Sequence, residues 1–335
     1  MTQSPINSST SYEAVEGWAK IPHGTWLREA TSVAVDSEDK VYVFNRGNVP
    51  MLIFDADGNL ISKWGNESPY SGMTSITDPY GITRKVWHGV DYVWPHSVRA
   101  DHENNLWLVD VHSHTITKTD KQGNVLLKIG TGEASTEQGG EPFNKPTDVA
   151  ISSANGDVFV SDGYGNSRIH RFDKEGNHIL SWGESGADDA QFSLPHNLAL
   201  LDNDKVVVCD RENHRVQMFT TEGEFIRSWH AHKAVAVTIG ANNEILVAEQ
   251  GPPPVQFGVP NLGHRVSIFS DTGELINRIG RDLPGESPDQ FLWPHSIAVD
   301  STGSIYVAEV SYVEVGSKQD PAREMVSLRK WRRTN

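Results

Sequence analysis

The sequence repeats one pattern six times, and that repeat constrains the fold more than any other property of the chain. Each copy holds two short apolar runs around a polar turn. The copies are "TSVAVDSEDKVYVFN" from Thr31, "HSVRADHENNLWLVD" from His96, "TDVAISSANGDVFVSD" from Thr147, "HNLALLDNDKVVVCD" from His196, "VAVTIGANNEILVAE" from Val235 and "HSIAVDSTGSIYVAE" from His295. Most copies continue into a second pair of runs joined by a Gly turn, as in "MLIFDADGNLISKWG" and "RIHRFDKEGNHILSWG". Enrichment in β-branched and aromatic residues, alternation with period two and D-x-x-G turns are strand and hairpin signals. Four strands per copy at a period of roughly 50 residues make a propeller blade. The expected fold is all-β: a six-bladed β-propeller with four antiparallel strands per blade, residues 29–331 forming one domain. Residues 1–28 are an N-terminal extension, and either its "GWAKIPHGTWL" or the closing "MVSLRKW" is expected to complete the ring.

Set in register, the copies begin with Thr31, His96, Thr147, His196, Val235 and His295. Histidine occupies copies two, four and six and no others. Alternate blades of a sixfold ring are related by a pseudo-threefold axis, and the innermost strand of each blade lines the channel. Three imidazoles at equivalent positions therefore converge, with a fourth position open, which is the pattern of a catalytic zinc site. A Pro-His pair standing alone reads as a strand start whose ring bonds a neighbouring carbonyl. Strict alternation over six copies favours the metal.

Strand connectivity puts the long connections on the face where these histidines sit. They are Asn66–Trp94, Thr131–Asn144, Gly251–Gly263 and Val310–Glu324, whereas turns on the opposite face, such as "DADGN", are short. Long loops around a convergent site on a rigid scaffold make binding pockets. The loops that follow the second strands rim the same mouth and bring Arg46, His112, His114, Tyr164 and Arg211. Asn45, Asp110, Asp162, Asp210, Glu249 and Glu309 share one register position and are expected to fix those loops. Arginine can fork onto a substrate carboxylate, and a phenol beside Arg and a metal can act as a base. His88, His102, His170, His178, His230, His232 and His264 lack the symmetry argument and are expected at the surface or in loops.

The net charge of −15 excludes nucleic acid and anionic membranes as partners, since both repel it. The first seventeen residues lack a basic segment and an apolar run, and no stretch approaches the roughly 18 apolar residues that span a bilayer. The single cysteine, Cys209, permits no internal disulfide and sits in the apolar run "KVVVCD" as a small hydrophobe. These features point to a cytoplasmic protein.

The stretches "KPTDVAISSANGDVFVSDGYGNSRIHRF", "SWGESGADDAQFSLPHNLAL" and "CDRENHRVQMF" follow the order found in the lyase domain of peptidylglycine α-amidating enzymes. The chain resembles that family, within the wider NHL-repeat propellers, most strongly over Phe143–Phe219. The resemblance implies a six-bladed propeller with a three-histidine zinc that splits a peptidyl-α-hydroxyglycine into a peptide amide and glyoxylate. It assigns zinc to His96, His196 and His295, the catalytic tyrosine to Tyr164 and two active-site arginines to Arg46 and Arg211. The third motif departs from the family's Met-Pro-His-Asp and reads "WPHS", with Trp293 and Ser296. By the resemblance, Trp293 implies a pocket of different shape. The family aspartate helps hold a structural calcium in the channel, and Ser296 offers no carboxylate for it. The chain also carries no partner monooxygenase domain, so a small hemiaminal fits the motif as readily as a short peptide.

The activity expected is metal-assisted C–N cleavage, with zinc as Lewis acid, Tyr164 as base and Arg46 and Arg211 on the carboxylate. Two other classes remain. A lactonase-type propeller hydrolase would hold calcium through Glu, Asp and Asn oxygens, whereas three imidazoles favour zinc. A non-catalytic NHL module would bind protein or RNA and hold no metal.

Overall fold

The computed structural model describes residues 11–65, 73–77, 83–87, 92–135, 142–202 and 204–334. Six four-stranded antiparallel sheets form the blades. Blade 1 runs through Ala30–Val35, Val41–Asn45, Met51–Phe54 and Leu60–Trp64, and blade 2 through Pro95–Ala100, Leu106–Asp110, Thr115–Thr119 and Val125–Ile129. The innermost strands of blades 3 to 6 are Asp148–Ile151, Pro195–Leu201, Ala234–Ile239 and Pro294–Val299. Their second strands are Val158–Asp162, Lys205–Asp210, Ile245–Glu249 and Ile305–Glu309. The Asn66–Trp94 connection, expected as a mouth loop, lies mostly outside the described residues apart from a hairpin of Met73–Thr77 with Thr83–Trp87.

The apolar runs are continuous because both faces of each blade are covered by a neighbour. In blade 4, Val206 and Val208 pack toward blade 3, against Phe159 and Phe192. Val207 and Cys209, on the alternate face, pack toward blade 5, against Val237 and Val247. The same division holds around the ring, down to Val41 and Val43 facing blade 6 while Tyr42 and Phe44 face blade 2. Each fully buried Val, Leu or Phe stabilises its wedge by roughly 1.5–3 kcal/mol. Cys209 is fully buried, and burial pushes its thiol well above the usual range, in keeping with its role as a core hydrophobe.

The ring closes on Tyr12–Val15, which pairs antiparallel with Leu328–Arg333 as the outermost strand of blade 6. "MVSLRKW" thus supplies the third strand, and the closing strand lies upstream of "GWAKIPHGTWL". That stretch carries Gly17 and Gly24 at positive φ and a proline, so it forms no strand and meets blade 1 through a single parallel bridge between Lys20 and Asn59. Its Trp18 plugs the wedge between blades 1 and 6 and donates Nε1–H to the Ala56 carbonyl at 3.0 Å. Among the described residues no helix is long and apolar enough to cross a membrane.

Candidate active site

Each histidine of the alternating register sits on a β-bulge. The ladder between first and second strand slips between Pro95 and Ser97, between Pro195 and Asn197, and between Pro294 and Ser296. Blades 1 and 5 slip at the equivalent place, around Thr31 and Val235, and in blade 3 the ladder begins just after Thr147. A bulge leaves one residue out of the ladder and re-aims its side chain. Here it turns His96, His196 and His295 toward the axis, with ring centroids 4.7 to 5.0 Å apart. All three are buried, and their ligand nitrogens lie within 4.8 Å of one another.

The equivalent positions of the odd blades complete the arrangement. His96 Nδ1 is 2.5 Å from the carbonyl of Thr147, His196 Nδ1 is 2.6 Å from that of Val235, and His295 Nδ1 is 2.7 Å from that of Thr31. A carbonyl only accepts, so each Nδ1 carries the proton and donates it. Each Nε2 is left with its lone pair facing the shared space. Burial, followed by neighbouring positive charge, holds the three rings well below the ordinary histidine range, His295 at about 3. Three neutral imidazoles with fixed tautomers suit a zinc-type ion, and the Nδ1–H···O=C bonds are the outer contacts that orient such ligands.

The shared carboxylates hold the strand entries. Asp110 accepts from the amides of Val93 (2.6 Å) and Trp94 (2.8 Å), Asp162 from Asn144, Asp210 from Ser193, Glu249 from His232, and Glu309 from Leu292 and Trp293. They also bind downstream partners, for example Arg215 on Asp210 and Arg329 on Glu309. Each carboxylate therefore ties the loop after its own strand to the segment that precedes the bulge.

Tyr164 leans over the trio. Its hydroxyl is 3.1 Å from His96 Nε2 and 3.1 Å from His196 Nε2, with both rings met edge-on. Gly163 permits this, because a Cβ there would lie 2.1 Å from the Pro195 carbonyl. In the same register on the other odd blades, Arg46 Nε donates to the Pro95 carbonyl at 3.1 Å and Gln250 Nε2 to that of Pro294 at 3.1 Å. Arg46 also lies over the Trp94 ring at 4.0 Å and pairs with buried Glu29 at 3.2 Å. Arg211 is bound by Glu212 at 2.8 Å. The charge of Arg46 bears on His96 and His295, and that of Arg211 on all three histidines. The structure thus gathers the three histidines and Tyr164, and sets Arg46 and Arg211 in their electrostatic surroundings.

Glu29 was not singled out in the sequence because it precedes the first repeat. Another histidine differs from expectation: His170 is buried on the strand Arg168–Phe172. His264 lies in a loop as expected, but is buried there. His264 Nδ1 accepts from the Gly251 amide at 2.8 Å while its ring packs 4.8 Å from Trp293. His170 is wedged between Ser181 and Asp162. His114 and His214 accept from the amides of Lys145 and Lys233, which makes them loop supports. His112, edge-on to Trp94, is lowered to about 4 by burial and by Lys145.

Calcium in the channel does not fit this chain. Ser296 Oγ, at the position of the expected carboxylate, is engaged by Ser32 Oγ at 3.0 Å and by the Val33 amide at 3.2 Å. The carboxylate in the same repeat register, Asp148 of blade 3, is already paired with Arg99.

Comparison with known proteins accords with this geometry. The NHL repeat family model matches residues 143–172 and 192–219, which include Tyr164, His196 and Arg211. Peptidylglycine alpha-amidating monooxygenase of Rattus norvegicus is 31% identical over 296 residues, covering 84% of this chain and 29% of that protein. Peptidyl-alpha-hydroxyglycine alpha-amidating lyase 1 of Drosophila melanogaster is 30% identical over 314 residues, covering 86% of this chain and 56% of that protein. NHL repeat-containing protein 3 of Homo sapiens is 27% identical over 325 residues, covering 91% of this chain and 83% of that protein. The chain thus spans less than a third of the rat protein and just over half of the fly protein. It is an NHL-repeat β-propeller that resembles the amidating lyases in sequence.

Proposed function

We propose that this propeller is a metal-dependent carbon–nitrogen lyase. It would cleave an α-hydroxyglycine-type hemiaminal, on a small molecule or short peptide, into an amide and glyoxylate. The observation that carries the reading is the Tyr164 hydroxyl, 3.1 Å from two of the three converging Nε2 atoms. His96, His196 and His295 would hold zinc, which supplies Lewis acidity toward the substrate oxygen when bound. Tyr164 accepts the proton of the substrate hydroxyl as the carbonyl forms. The C–N bond breaks with its electron pair going to nitrogen, and the same proton is returned there to give the amide. Arg46 and Arg211 hold the carboxylate that leaves as part of glyoxylate, and Glu29 and Trp94 fix the plane of Arg46. The substrate is anionic while the chain is acidic overall, so these two local cations must act within about one Debye length, roughly 8 Å.

The test is glyoxylate release from N-benzoyl-α-hydroxyglycine by the zinc-loaded protein. Zinc-loaded protein with no release above the uncatalysed rate would sink the reading. The alternative is a non-catalytic NHL-repeat binding module, which a purified chain with neither metal nor glyoxylate release would favour. A lactonase-type calcium site has little support, because the mouth's carboxylates are engaged by backbone amides and arginines.

A further inference from the structure

One tier away from the histidines, the channel holds a cation of its own. Arg99 follows His96 by three residues on the innermost strand of blade 2 and reaches across the axis to blade 5. Its Nη2 alone meets four oxygens: Asp148 Oδ2 at 2.5 Å, Asn197 Oδ1 at 2.8 Å, the Val237 carbonyl at 3.3 Å and the Leu198 carbonyl at 3.4 Å. Its Nε adds Asp148 Oδ1 at 3.2 Å. Asp148 is fully buried, and its remaining contacts are the Ser97 hydroxyl and the Leu198 amide.

A carboxylate, a side-chain amide oxygen and two main-chain carbonyls converging from different strands are the donors that a hard divalent ion takes. Here they surround a guanidinium, which is permanently charged and presents its donors in a fixed fork. We propose that Arg99 is a built-in cation that fills an oxygen nest between blades 3, 4 and 5, so that the channel is clamped without calcium. The inference is independent of the lyase reading and of the histidine trio. It predicts that the nest becomes a calcium site once the guanidinium is removed. The remaining oxygens carry one negative charge and leave open the volume that the side chain occupied. An unpaired buried carboxylate is also strongly destabilising, so the variant gains most from an added ion.

The experiment compares melting temperatures of wild type, Arg99→Ala and Arg99→Ala/Asp148→Asn, each zinc-loaded and freed of calcium. Each is measured with about 10 mM calcium or magnesium, above the weakest protein calcium affinities. Wild type should move by less than about 1 °C with either ion. Arg99→Ala should melt roughly 5–10 °C lower and recover at least half of that loss with calcium. Magnesium, which demands a tighter octahedron, should do much less. The double variant should lose the calcium response, because the charge that attracts the ion is gone. If Arg99→Ala does not accumulate folded, refolding from denaturant with and without calcium replaces the melt, and recovery in calcium alone supports the assignment. A wild type stabilised by calcium would overturn it. So would a single variant that calcium does not rescue, or a double variant that responds as the single one does.

Discussion

Even and odd blades share one scaffold yet contribute opposite chemistry to the channel mouth. Blades 2, 4 and 6 place an imidazole on the bulge of the innermost strand, whereas blades 5, 1 and 3 place there a residue whose main-chain carbonyl accepts from the neighbouring ring. The odd blades also supply the groups that grip the prolyl carbonyl before each histidine, namely Arg46, Thr147 and Gln250. Arg211, on blade 4, departs from this division. The bulge recurs in blades 1, 2, 4, 5 and 6, and in blade 3 the ladder begins just after Thr147, so the main difference between the sets lies in side chains. On the proposed reading, even blades would hold the ion, and odd blades would orient its ligands and present most of the reactive groups. The division teaches that changes on the two sets should fail in different ways.

The largest effect is expected from an even blade. His196→Ala removes one of three nitrogens and opens a cavity at the axis. An outer-contact change typically costs 10–100-fold in metal affinity, and loss of a ligand should exceed that. Bound zinc, measured by elemental analysis after dialysis, should fall below about a tenth of wild type, and glyoxylate release should fall with it. Full zinc occupancy would break the comparison at its root. The next effect is on an odd blade and should spare the metal. Tyr164→Phe deletes the oxygen that faces His96 and His196 and keeps the ring. A general base contributes about 10²–10⁴-fold, so kcat should drop in that range, with zinc content and Tm nearly unchanged. Activity within a few-fold of wild type would remove Tyr164 from the mechanism. Lost zinc would make it a structural residue.

Much of this was legible in the sequence, for a physical reason. Repeat register converts position along the chain into position around an axis, so His96, His196 and His295 could be brought together without coordinates. Tyr164 and Arg46 stood out as departures within a register. What stayed hidden is what a side-chain pattern cannot encode. The acceptors of the imidazoles are backbone carbonyls, freed by bulges at Thr31 and Val235 and by the start of the ladder at Thr147, and a carbonyl is the same at all three. The burial of His170 and of the loop residue His264 stayed hidden because polar character says nothing of burial when a partner is waiting, here Ser181 and the Gly251 amide. The closing strand Tyr12–Val15 is too short to announce itself beside "GWAKIPHGTWL". Arg99 has no counterpart in the other copies, and its reach across the ring follows from tertiary structure alone.

A smaller effect separates positioning from chemistry within the odd set. Glu29 is buried, its own carboxyl raised by burial and drawn back by Arg46, and it pairs with Arg46 at 3.2 Å. Glu29→Gln keeps the shape and an acceptor oxygen but removes the charge that holds the guanidinium. Arg46 would remain over Trp94 and on the Pro95 carbonyl, with its orientation less fixed. The expected outcome in steady-state kinetics is a rise in KM of roughly tenfold, about the worth of one charge-assisted hydrogen bond, with kcat changed much less and zinc retained. Equal losses in kcat and kcat/KM would instead place the Glu29–Arg46 pair in the chemical step.

The smallest effect concerns pH and returns to the even blades. The three rings are held below the ordinary histidine value by burial first, with the charges of Arg46 and Arg211 behind it, and His295 lies at about 3. In the unfolded chain the same rings titrate near 6.5. Below that value the unfolded state takes up protons that the folded state refuses, so the metal-free protein loses stability as pH falls. For one ring the loss approaches about 1.4 kcal/mol per pH unit, and it continues until the folded value is reached. Between pH 7.5 and 5.5 a single ring should account for roughly 1–4 °C of Tm. Buried carboxylates such as Glu309, raised by burial, act in the opposite sense, so the contribution is isolated by a difference. The pH-induced drop in Tm of metal-free wild type should exceed that of metal-free His295→Gln by this amount. An equal drop in both would mean that His295 titrates normally in the folded protein, and that the even-blade rings are not held neutral by their surroundings.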